Sequence, residues 1–534
     1  MQLLKSEMPH VAEANTRSVQ VNGSADYYGA CSIEKFNSAG SLHWTHEDAA
    51  GWLDYVTQFT PGNFWLGDNN VQVWMYEEPY DNWQDTYGSD AVLAFYHSGH
   101  GNMDANGVFQ CPMGGVWDGR DWAFSNRMNI GDDQVRYQFW STCLSLRVTG
   151  AHNPVRTWHG ANRGLRMIFG FETVSIDSGD YGKFFWEEWR KGKSFSQAWL
   201  DASWRIYSGQ APSVCACGAN QSDAQARLYN ERLFNWGSAA RDYYEWRWYV
   251  SREIRSQAKV ASLSELPKEM LVAHFAPVVP DEEAVRLAEL FKIGSKKDLS
   301  LGATGTFTLT GDKASIQVDR EGRFEVKLGQ INYENTDLLE TSKARSIADK
   351  MMEEYGLSKG MELELSQVRE GYACGGSSKG AGQIRKPNIT DRTFEYRQII
   401  NGLLSVSPDA GIVRITVDND GAITSVQSSV KVVKELVKKT NRSTVAPQDP
   451  ATSHATFTDL GRDEKSLEAA FDQELNSLLG GVAVKSANGQ AIVSTEIGYD
   501  VAKQSAGVVA TRVYELDMGN GLKKLYRVTV PLFE

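Results

Sequence analysis

The sequence predicts a mixed α/β protein, in which an N-terminal region with a mostly parallel sheet flanked by helices is followed by α+β domains. Apolar strand segments alternate with helical segments up to about residue 255, a pattern typical of parallel α/β sheets. All 16 tryptophans lie before that point, so a core of large aromatic side chains ends there. The 534 residues suffice for about three domains of ordinary size.

The N-terminal region is assigned from three apolar strands and two helical stretches. Short apolar runs that end in polar residues predict strands at residues 90–96, 135–140 and 165–171. Apolar residues at helical spacing predict helices at 52–59 and 181–207. We expect Gly192 to divide the second stretch into two helices.

Beyond residue 300 the pattern changes to strands joined by tight turns, with one helix in each half. Strands are predicted at residues 306–318, 323–328, 394–400, 412–417, 423–430, 492–501, 508–516 and 525–530. Helices are predicted at 341–355, where Gly356 ends an apolar stripe, and at 466–479. The chain is therefore divided into a first domain at 1–255, a linker at 256–280, an α+β domain at 281–445 and a second α+β subdomain at 446–534.

The charge of the chain restricts its partners. Lys and Arg total 55 against 67 Asp and Glu, which gives a net charge of −12. This acidity disfavours nonspecific attraction to nucleic acid and to anionic membranes. No segment reaches the ~18 consecutive apolar residues of a membrane span. We expect a peptide or protein substrate, no nucleic acid and no membrane.

Cysteine use and the N-terminus bear on the compartment. Six cysteines in 534 residues are sparse, and the closest two, Cys215 and Cys217, lack the spacing of redox or zinc pairs. The first 11 residues lack the basic and apolar segments of a signal peptide. A cytoplasmic location is expected on these grounds, or a secreted one if the chain is a processed form.

Two reactive side chains follow two of the predicted strands. His100 comes after the first strand in Ser98-Gly-His-Gly101, and Cys143 comes after the second in Ser141-Thr-Cys. Neighbouring parallel strands lie ~4.8 Å apart, and their carboxyl ends meet at one edge of the sheet. A thiol needs a base or a cation nearby to become the nucleophilic thiolate. The pair therefore predicts a Cys–His dyad, and Gly101 would let backbone N–H groups approach a developing oxyanion.

These two blocks resemble the catalytic blocks of caspase-like cysteine peptidases of clan CD, which include metacaspases, separase and the CHAT proteases. The segment Gly192-Lys-Ser-Phe-Ser-Gln-Ala198 is similar to a helical segment that follows the cysteine strand in that clan. The resemblance covers roughly residues 70–210. It implies a caspase-like fold, His100 as general base and acid, and Cys143 as nucleophile. It also implies an oxyanion hole from the backbone N–H groups of Gly101 and Cys143, and no cofactor or metal.

The surroundings of the cysteine depart from that clan. Ser-Thr-Cys-Leu-Ser stands in place of the Asp-Ser-Cys-His-Ser-Gly of metacaspases and the Gln-Ala-Cys of caspases. No motif position supplies an acidic residue for a substrate side chain. Glu172, after the third strand, is the best candidate for that role, and Asp132 and Asp133 are others; a solvated loop position is the alternative for each. His97 is a further candidate for substrate binding, although a structural role is favoured for it.

The C-terminal half carries a second resemblance. Residues 396–406, the strand at 412–417 and the turn Asp418-Asn-Asp-Gly421 resemble the PepSY/FTP propeptide-type module over about 100 residues. Modules of that family often inhibit or chaperone a linked peptidase. The resemblance implies intramolecular regulation by the C-terminal domains, with a purely accessory domain as the alternative.

Together these patterns predict cysteine-dependent peptide-bond hydrolysis through a thioester acyl-enzyme. A peptide ligase or cyclase would use the same intermediate. The alternative from another class is a non-catalytic binding or scaffold protein that retains the caspase-like fold. A zinc site is the rival chemistry, although the spacing of its candidate ligands matches no compact zinc motif. Those ligands are His97, His100, Cys111, Cys143, His152 and His159.

Overall fold

The fold is that of a computed structural model of the chain. It describes residues 9, 26–254, 256, 258–266, 271–294, 296–302, 305–379, 384–438, 463–479 and 490–532. Of the first 11 residues, in which no signal peptide is predicted, only residue 9 is among the described residues. Of the described helices, none is both long and apolar enough to cross a bilayer.

The helices and strands are numbered in chain order. The helices are α1 (Thr45–Val56), α2 (Asp81–Tyr87), α3 (Pro154–Trp158), α4 (Tyr181–Arg190), α5 (Phe195–Ile206), α6 (Gln221–Asn230), α7 (Pro280–Phe291), α8 (Thr341–Glu354) and α9 (Glu464–Leu478). The strands of the first half are β1 (Tyr28–Ser32), β2 (Phe64–Gly67), β3 (Ala94–Ser98), β4 (Asn102–Met103), β5 (Phe109–Trp117), β6 (Arg120–Phe124), β7 (Tyr137–Ser141), β8 (Met167–Phe171), β9 (Pro212–Gly218) and β10 (Tyr243–Glu253). Those of the second half are β11 (Leu271–Phe275), β12 (Ser300–Leu301), β13 (Phe307–Thr310), β14 (Ser315–Val318), β15 (Phe324–Lys327), β16 (Glu362–Ser377), β17 (Asn388–Ile400), β18 (Leu403–Leu404), β19 (Ile412–Asp418), β20 (Ile423–Ser428), β21 (Val433–Lys438), β22 (Gln490–Tyr499), β23 (Ser505–Ala506), β24 (Val508–Gly519) and β25 (Leu522–Pro531).

One 16-stranded sheet runs through both halves of the chain. At its N-terminal end the neighbours β2, β1, β3, β7 and β8 are parallel. From β9 onward the neighbours pair antiparallel, and β10 joins β16 of the second half over its whole length. The predicted parallel sheet is therefore confirmed for the N-terminal part only, since the sheet as a whole is mostly antiparallel.

The tryptophans of the first half pack on both faces of the parallel strands. On one face Trp52, Trp186 and Trp199 lie among α1, α4 and α5. On the other face Trp140 and Trp158 are buried beneath the small sheet of β4, β5 and β6. Burial of such large rings is the main favourable contribution to a core of this kind. The helix expected across 181–207 is broken as predicted, because Gly192 adopts a φ of +82° between α4 and α5.

The C-terminal residues form a separate small layer against the first half. Strands β22, β24 and β25 make a three-stranded antiparallel sheet, and α9 packs Leu467, Phe471 and Leu475 on it. The range 256–280, predicted as a linker, contains β11, which pairs with β21 and β23. This strand was missed because its five residues have only a short apolar signal.

Candidate active site

The structure brings the two predicted reactive residues to the same edge of the sheet. Ser98, the last residue of β3, is in register with Ser141, the last residue of β7, and the two strands are parallel neighbours. His100 and Cys143 therefore each lie two residues beyond that pair. Both side chains are buried, with 0 % and 1 % of their surface exposed.

The hydrogen bond of His100 defines its tautomer. Its Nε2 lies 2.9 Å from the carbonyl oxygen of Gly40, which can only accept, so Nε2 carries the proton. Nδ1 is then the basic nitrogen, and it is buried without a hydrogen-bond partner among the described residues. Burial lowers the pKa of His100 to about 3, and the nearby Lys524 ammonium adds to that effect. The imidazole is therefore neutral at physiological pH and holds a free lone pair.

The sulfur of Cys143 is surrounded by polar groups rather than by hydrocarbon. The backbone N–H of Ser175 donates to Sγ at 3.3 Å, and the Ser175 hydroxyl lies 3.4 Å from it. The carbonyl oxygen of Lys523 lies 3.4 Å from the same sulfur. The Ser175 carbonyl lies 3.8 Å from the sulfur as well, so both hydrogen-bond donors and acceptors surround it.

The loops after β3 and β7 touch through their backbones at Gly101. A Cβ on Gly101 would lie 2.7 Å from the carbonyl oxygen of Cys143 and 2.9 Å from the Thr142 hydroxyl. The backbone N–H groups of Gly101 and Cys143 donate to no other described residue. Leu144, next to the cysteine, has a φ of +56°, which is strained for a bulky residue. Strained backbone and unpaired donors at one place are features of functional sites.

A buried carboxylate that the sequence did not reveal supports the ends of both strands. Asp48 of α1 accepts hydrogen bonds from the Ser98 and Tyr96 hydroxyls, each at 2.7 Å, and from the backbone N–H of Gly182. Burial raises the pKa of Asp48 to about 6, against the effect of these hydrogen bonds and of one from Ser141. Asp48 thus ties β3, β7 and α4 together directly behind the site. The pattern of α1 marks a helix with an acidic first turn, and only tertiary contacts distinguish this residue from a solvated one.

The C-terminal hairpin, formed by β24, the turn Asn520–Gly521 and β25, covers the site. Its turn bonds the first half at two points, from the Asn520 side chain to the Ser38 carbonyl at 2.6 Å and from the Asn102 side chain to the Gly521 carbonyl at 3.3 Å. Both turn residues have positive φ, as a two-residue Asn-Gly turn requires. That dipeptide was the available signal for the turn, but nothing in the sequence indicates what the hairpin contacts.

The other predicted site residues lie apart from this arrangement. Glu172 is buried and accepts the backbone N–H groups of Val148 and Thr149, so its carboxylate holds that loop. Asp132 and Asp133 precede β7 and lie at the opposite edge of the sheet from Cys143. His97 is buried on the other face, where its Nδ1 bonds the Tyr76 hydroxyl at 2.7 Å. The structure does not bring these four residues to the sulfur of Cys143.

The candidate zinc ligands are not assembled either. Among the described residues, the group of three whose ligand atoms lie within 4.8 Å of one another is Asp85, Asp90 and Asp132, which includes no histidine or cysteine. Two cavities, of about 330 and 260 Å³, lie where α4 and α5 face the antiparallel part of the large sheet. Neither is lined by His100 or Cys143.

Comparison with known families yields one match. The sequence model of DUF6345, a domain of unknown function, matches residues 30–252, a range that contains both His100 and Cys143. The chain is similar to that family over less than half of its length. No curated protein matches the chain significantly.

The close contact at Gly101 leads to a prediction about substitution. Gly101→Ala places a methyl group within contact distance of the Cys143 backbone, so the two loops must separate. We expect a lower melting temperature and faster alkylation of Cys143 by iodoacetamide, since separation of the loops would expose the sulfur, which is buried in the wild-type chain. Gly160→Ala is the matched control, because a Cβ there meets nothing within 4 Å. Equal behaviour of the two variants would contradict the observed approach of the loops.

The buried histidines predict an acid-sensitive contribution to stability. Burial lowers the pKa of His97 to about 3, so the unfolded chain takes up a proton near pH 6.5 that the folded chain refuses. Protonation of His97 in the unfolded chain therefore lowers the free energy of unfolding by about 2 kcal/mol at pH 5, whereas above pH 7 it has almost no effect. In urea unfolding, the stability difference between wild type and His97→Gln should shrink by that amount from pH 7.5 to pH 5. A difference that stays constant with pH would show that His97 is solvated.

Proposed function

We propose that the chain is a cysteine-dependent peptidase with a caspase-like N-terminal domain and PepSY-like α+β modules in its second half. The observation that carries this proposal is the tautomer of His100, whose second ring nitrogen is buried without a hydrogen-bond partner among the described residues. Its Nε2–H is held by Gly40, and its Nδ1 is buried just beyond the strand that neighbours the Cys143 strand, whereas no described hydrogen bond joins Nδ1 to the sulfur. A buried nitrogen without a partner costs free energy. Since a general base works best with a pKa near the working pH, the proposed mechanism requires the pKa of His100 to rise when the C-terminal hairpin and its Lys524 ammonium leave the site.

The reaction follows from these groups. Nδ1 of His100 takes the thiol proton of Cys143, and the thiolate attacks the carbonyl carbon of a peptide bond. The tetrahedral oxyanion is held by the N–H groups of Gly101 and Cys143. The C–N bond then breaks, the leaving amine takes the proton from His100, and a thioester remains on the sulfur. Water, deprotonated by His100, cleaves the thioester to a carboxylate and restores the thiol. An amine in place of water would give the ligase or cyclase outcome.

The test compares cysteine variants on a peptide library, with products identified by mass spectrometry. The C-terminal hairpin covers the site, so each variant is assayed in two backgrounds. One is the wild-type chain. The other, the loosened chain, carries Asn102→Ala and Asn520→Gly, which remove the two side-chain hydrogen bonds of the hairpin turn. Glycine suits the positive φ of Asn520, so the second substitution removes its hydrogen bond and keeps the turn.

Cys143→Ala should abolish cleavage in both chains. The matched control is Cys31→Ala, at a buried cysteine of β1 whose sulfur contacts Met75, and this variant should cleave as its parent does. Cleavage that survives Cys143→Ala would refute the proposal, as would a loosened chain that cleaves no member of the library.

A second candidate function, ligand binding without catalysis, is favoured by the larger cavity. Arg232 lines it, and its Nε is buried without a described hydrogen-bond partner, whereas Arg205 and Arg414, which also line it, already pair with Asp409. An anionic ligand would satisfy that group. Calorimetry with inorganic phosphate should then show binding to the Cys143→Ala chain that Arg232→Gln abolishes. Absence of phosphate binding would leave this candidate without support.

A further inference from the structure

The segment that follows β8 presents a strand edge beside the sulfur of Cys143. In the structure β25 occupies that edge through two backbone hydrogen bonds. The Leu525 N–H donates to the Ser175 carbonyl at 3.2 Å, and the Asp177 N–H donates to the Leu525 carbonyl at 2.8 Å. Ile176 and Leu525 thus form a parallel bridge. An extended segment that bonds a strand edge in this way is a known mode of peptide recognition.

The register of this pairing places β25 directly over the candidate dyad. Two residues before Leu525, the carbonyl oxygen of Lys523 lies 3.4 Å from the sulfur of Cys143. The side chain of Lys524 is 2 % exposed, and its Nζ donates to the Ser175 hydroxyl at 3.2 Å. The same ammonium acts on the imidazole of His100. One strand therefore brings a peptide carbonyl to the nucleophile and a buried ammonium close enough to the base to lower its pKa.

We propose that residues 175–177 form the substrate-binding edge of the site, which takes an extended peptide by strand addition, and that β25 is its intramolecular occupant. The chain is then latent until the C-terminal hairpin leaves the edge. The role of residues 175–177 in substrate binding rests on the proposed peptidase function, but whether β25 occupies this edge can be measured without catalysis.

The contacts of the hairpin suit an occupant that can be displaced. The hairpin belongs to its own sheet with β22 and α9, so its release leaves the sheet of the first half intact. Its attachment at the turn consists of two side-chain hydrogen bonds and one from the Gly40 N–H to the Met518 carbonyl. Lys524 has no described carboxylate within 4.0 Å of its Nζ. Burial raises the pKa of the Asp177 carboxyl and the Lys524 ammonium acts against that larger effect, so release of the hairpin must separate this pair as well.

The test measures access to Cys143 in the full-length chain. Alkylation by iodoacetamide is followed by peptide mapping, and exchange of the Leu525 amide is followed by hydrogen–deuterium mass spectrometry. The loosened chain should be alkylated at Cys143 about tenfold faster than wild type, as the loss of two hydrogen bonds implies. Glu515→Gln is the control, because it breaks only the exposed pair with Lys523 inside the hairpin. Leu525→Asp is the stronger variant, since a carboxylate cannot remain in the aromatic core that Leu525 joins.

The occupant is tested with a synthetic peptide of the sequence Gly-Leu-Lys-Lys-Leu-Tyr-Arg, which copies residues 521–527. It should protect Cys143 of the loosened chain from alkylation, and a scrambled peptide should not. Faster Leu525 exchange without faster alkylation, in either variant, would overturn the proposal. So would wild-type alkylation as fast as that of a free cysteine, or equal protection by both peptides. Faster alkylation and specific protection without any cleavage would support the occupied edge and refute the peptidase function. Equal cleavage by the wild-type and loosened chains would support the peptidase function and refute the occupied edge.

Discussion

Replacement of His100 by alanine is expected to lower the rate of peptide cleavage by the loosened chain about 10²- to 10⁴-fold, the range typical of a lost general base. The variant keeps Cys143 and its Ser175 contacts, so the loss reports on proton transfer alone. Alkylation of Cys143 at pH 7 should slow in parallel, because the proposed mechanism makes Nδ1 the acceptor of the thiol proton.

His97→Gln is the matched control for this prediction. Both histidines are fully buried and both have a pKa lowered to about 3, but His97 bonds Tyr76 on the opposite face of β3. Its substitution should change cleavage and alkylation much less than His100→Ala does at pH 7. If the two variants lose activity equally, the effect is one of folding, and His100 has no special role.

Replacement of Lys193 by methionine is expected to destabilise the chain by about 3 kcal/mol, because it removes a cation that bridges three carboxylates of a buried ionic cluster. The Lys193 ammonium contacts Glu188 at 2.5 Å, Asp201 at 2.9 Å and Glu325 at 3.1 Å, and it is 8 % exposed. These carboxylates hold the pKa of Lys193 well above its usual value despite its burial. Lys191, Arg205 and Arg369 would still pair with individual carboxylates of the cluster, but the ion that joins all three would be lost.

The effect should also report on the connection between the two halves. Glu325 belongs to β15 of the second half, whereas Glu188 and Asp201 belong to α4 and α5 of the first. Urea unfolding followed by tryptophan fluorescence senses the first half, which contains every tryptophan. Lys183→Met is the control, since Lys183 is an exposed residue of the same helix α4. A shift as small for Lys193→Met as for Lys183→Met would show that the cluster is solvated.

The placement of His100 and Cys143 could be predicted because it depends on local patterns. Each residue follows an apolar run that ends in small polar residues, and parallel neighbours bring such ends together. Local patterns did not determine the roles of Glu172, Asp132 and Asp133. A carboxylate next to a strand end can bond a loop instead, as Glu172 does with the Val148 and Thr149 N–H groups. Which of these occurs depends on side chains distant in the sequence.

The sequence by itself determined the aromatic first half, the ends of β3 and β7, the break at Gly192 and the existence of the last two strands. These features arise from residue spacing within short segments, where periodicity and turn chemistry act locally. Only the tertiary structure decided that one sheet joins both halves, that Asp48 supports the site and that β25 lies across Cys143. Lys524 and Ser175, whose side chains are hydrogen-bonded, are separated by 349 residues, so their contact depends on the packing of whole layers and leaves no local pattern.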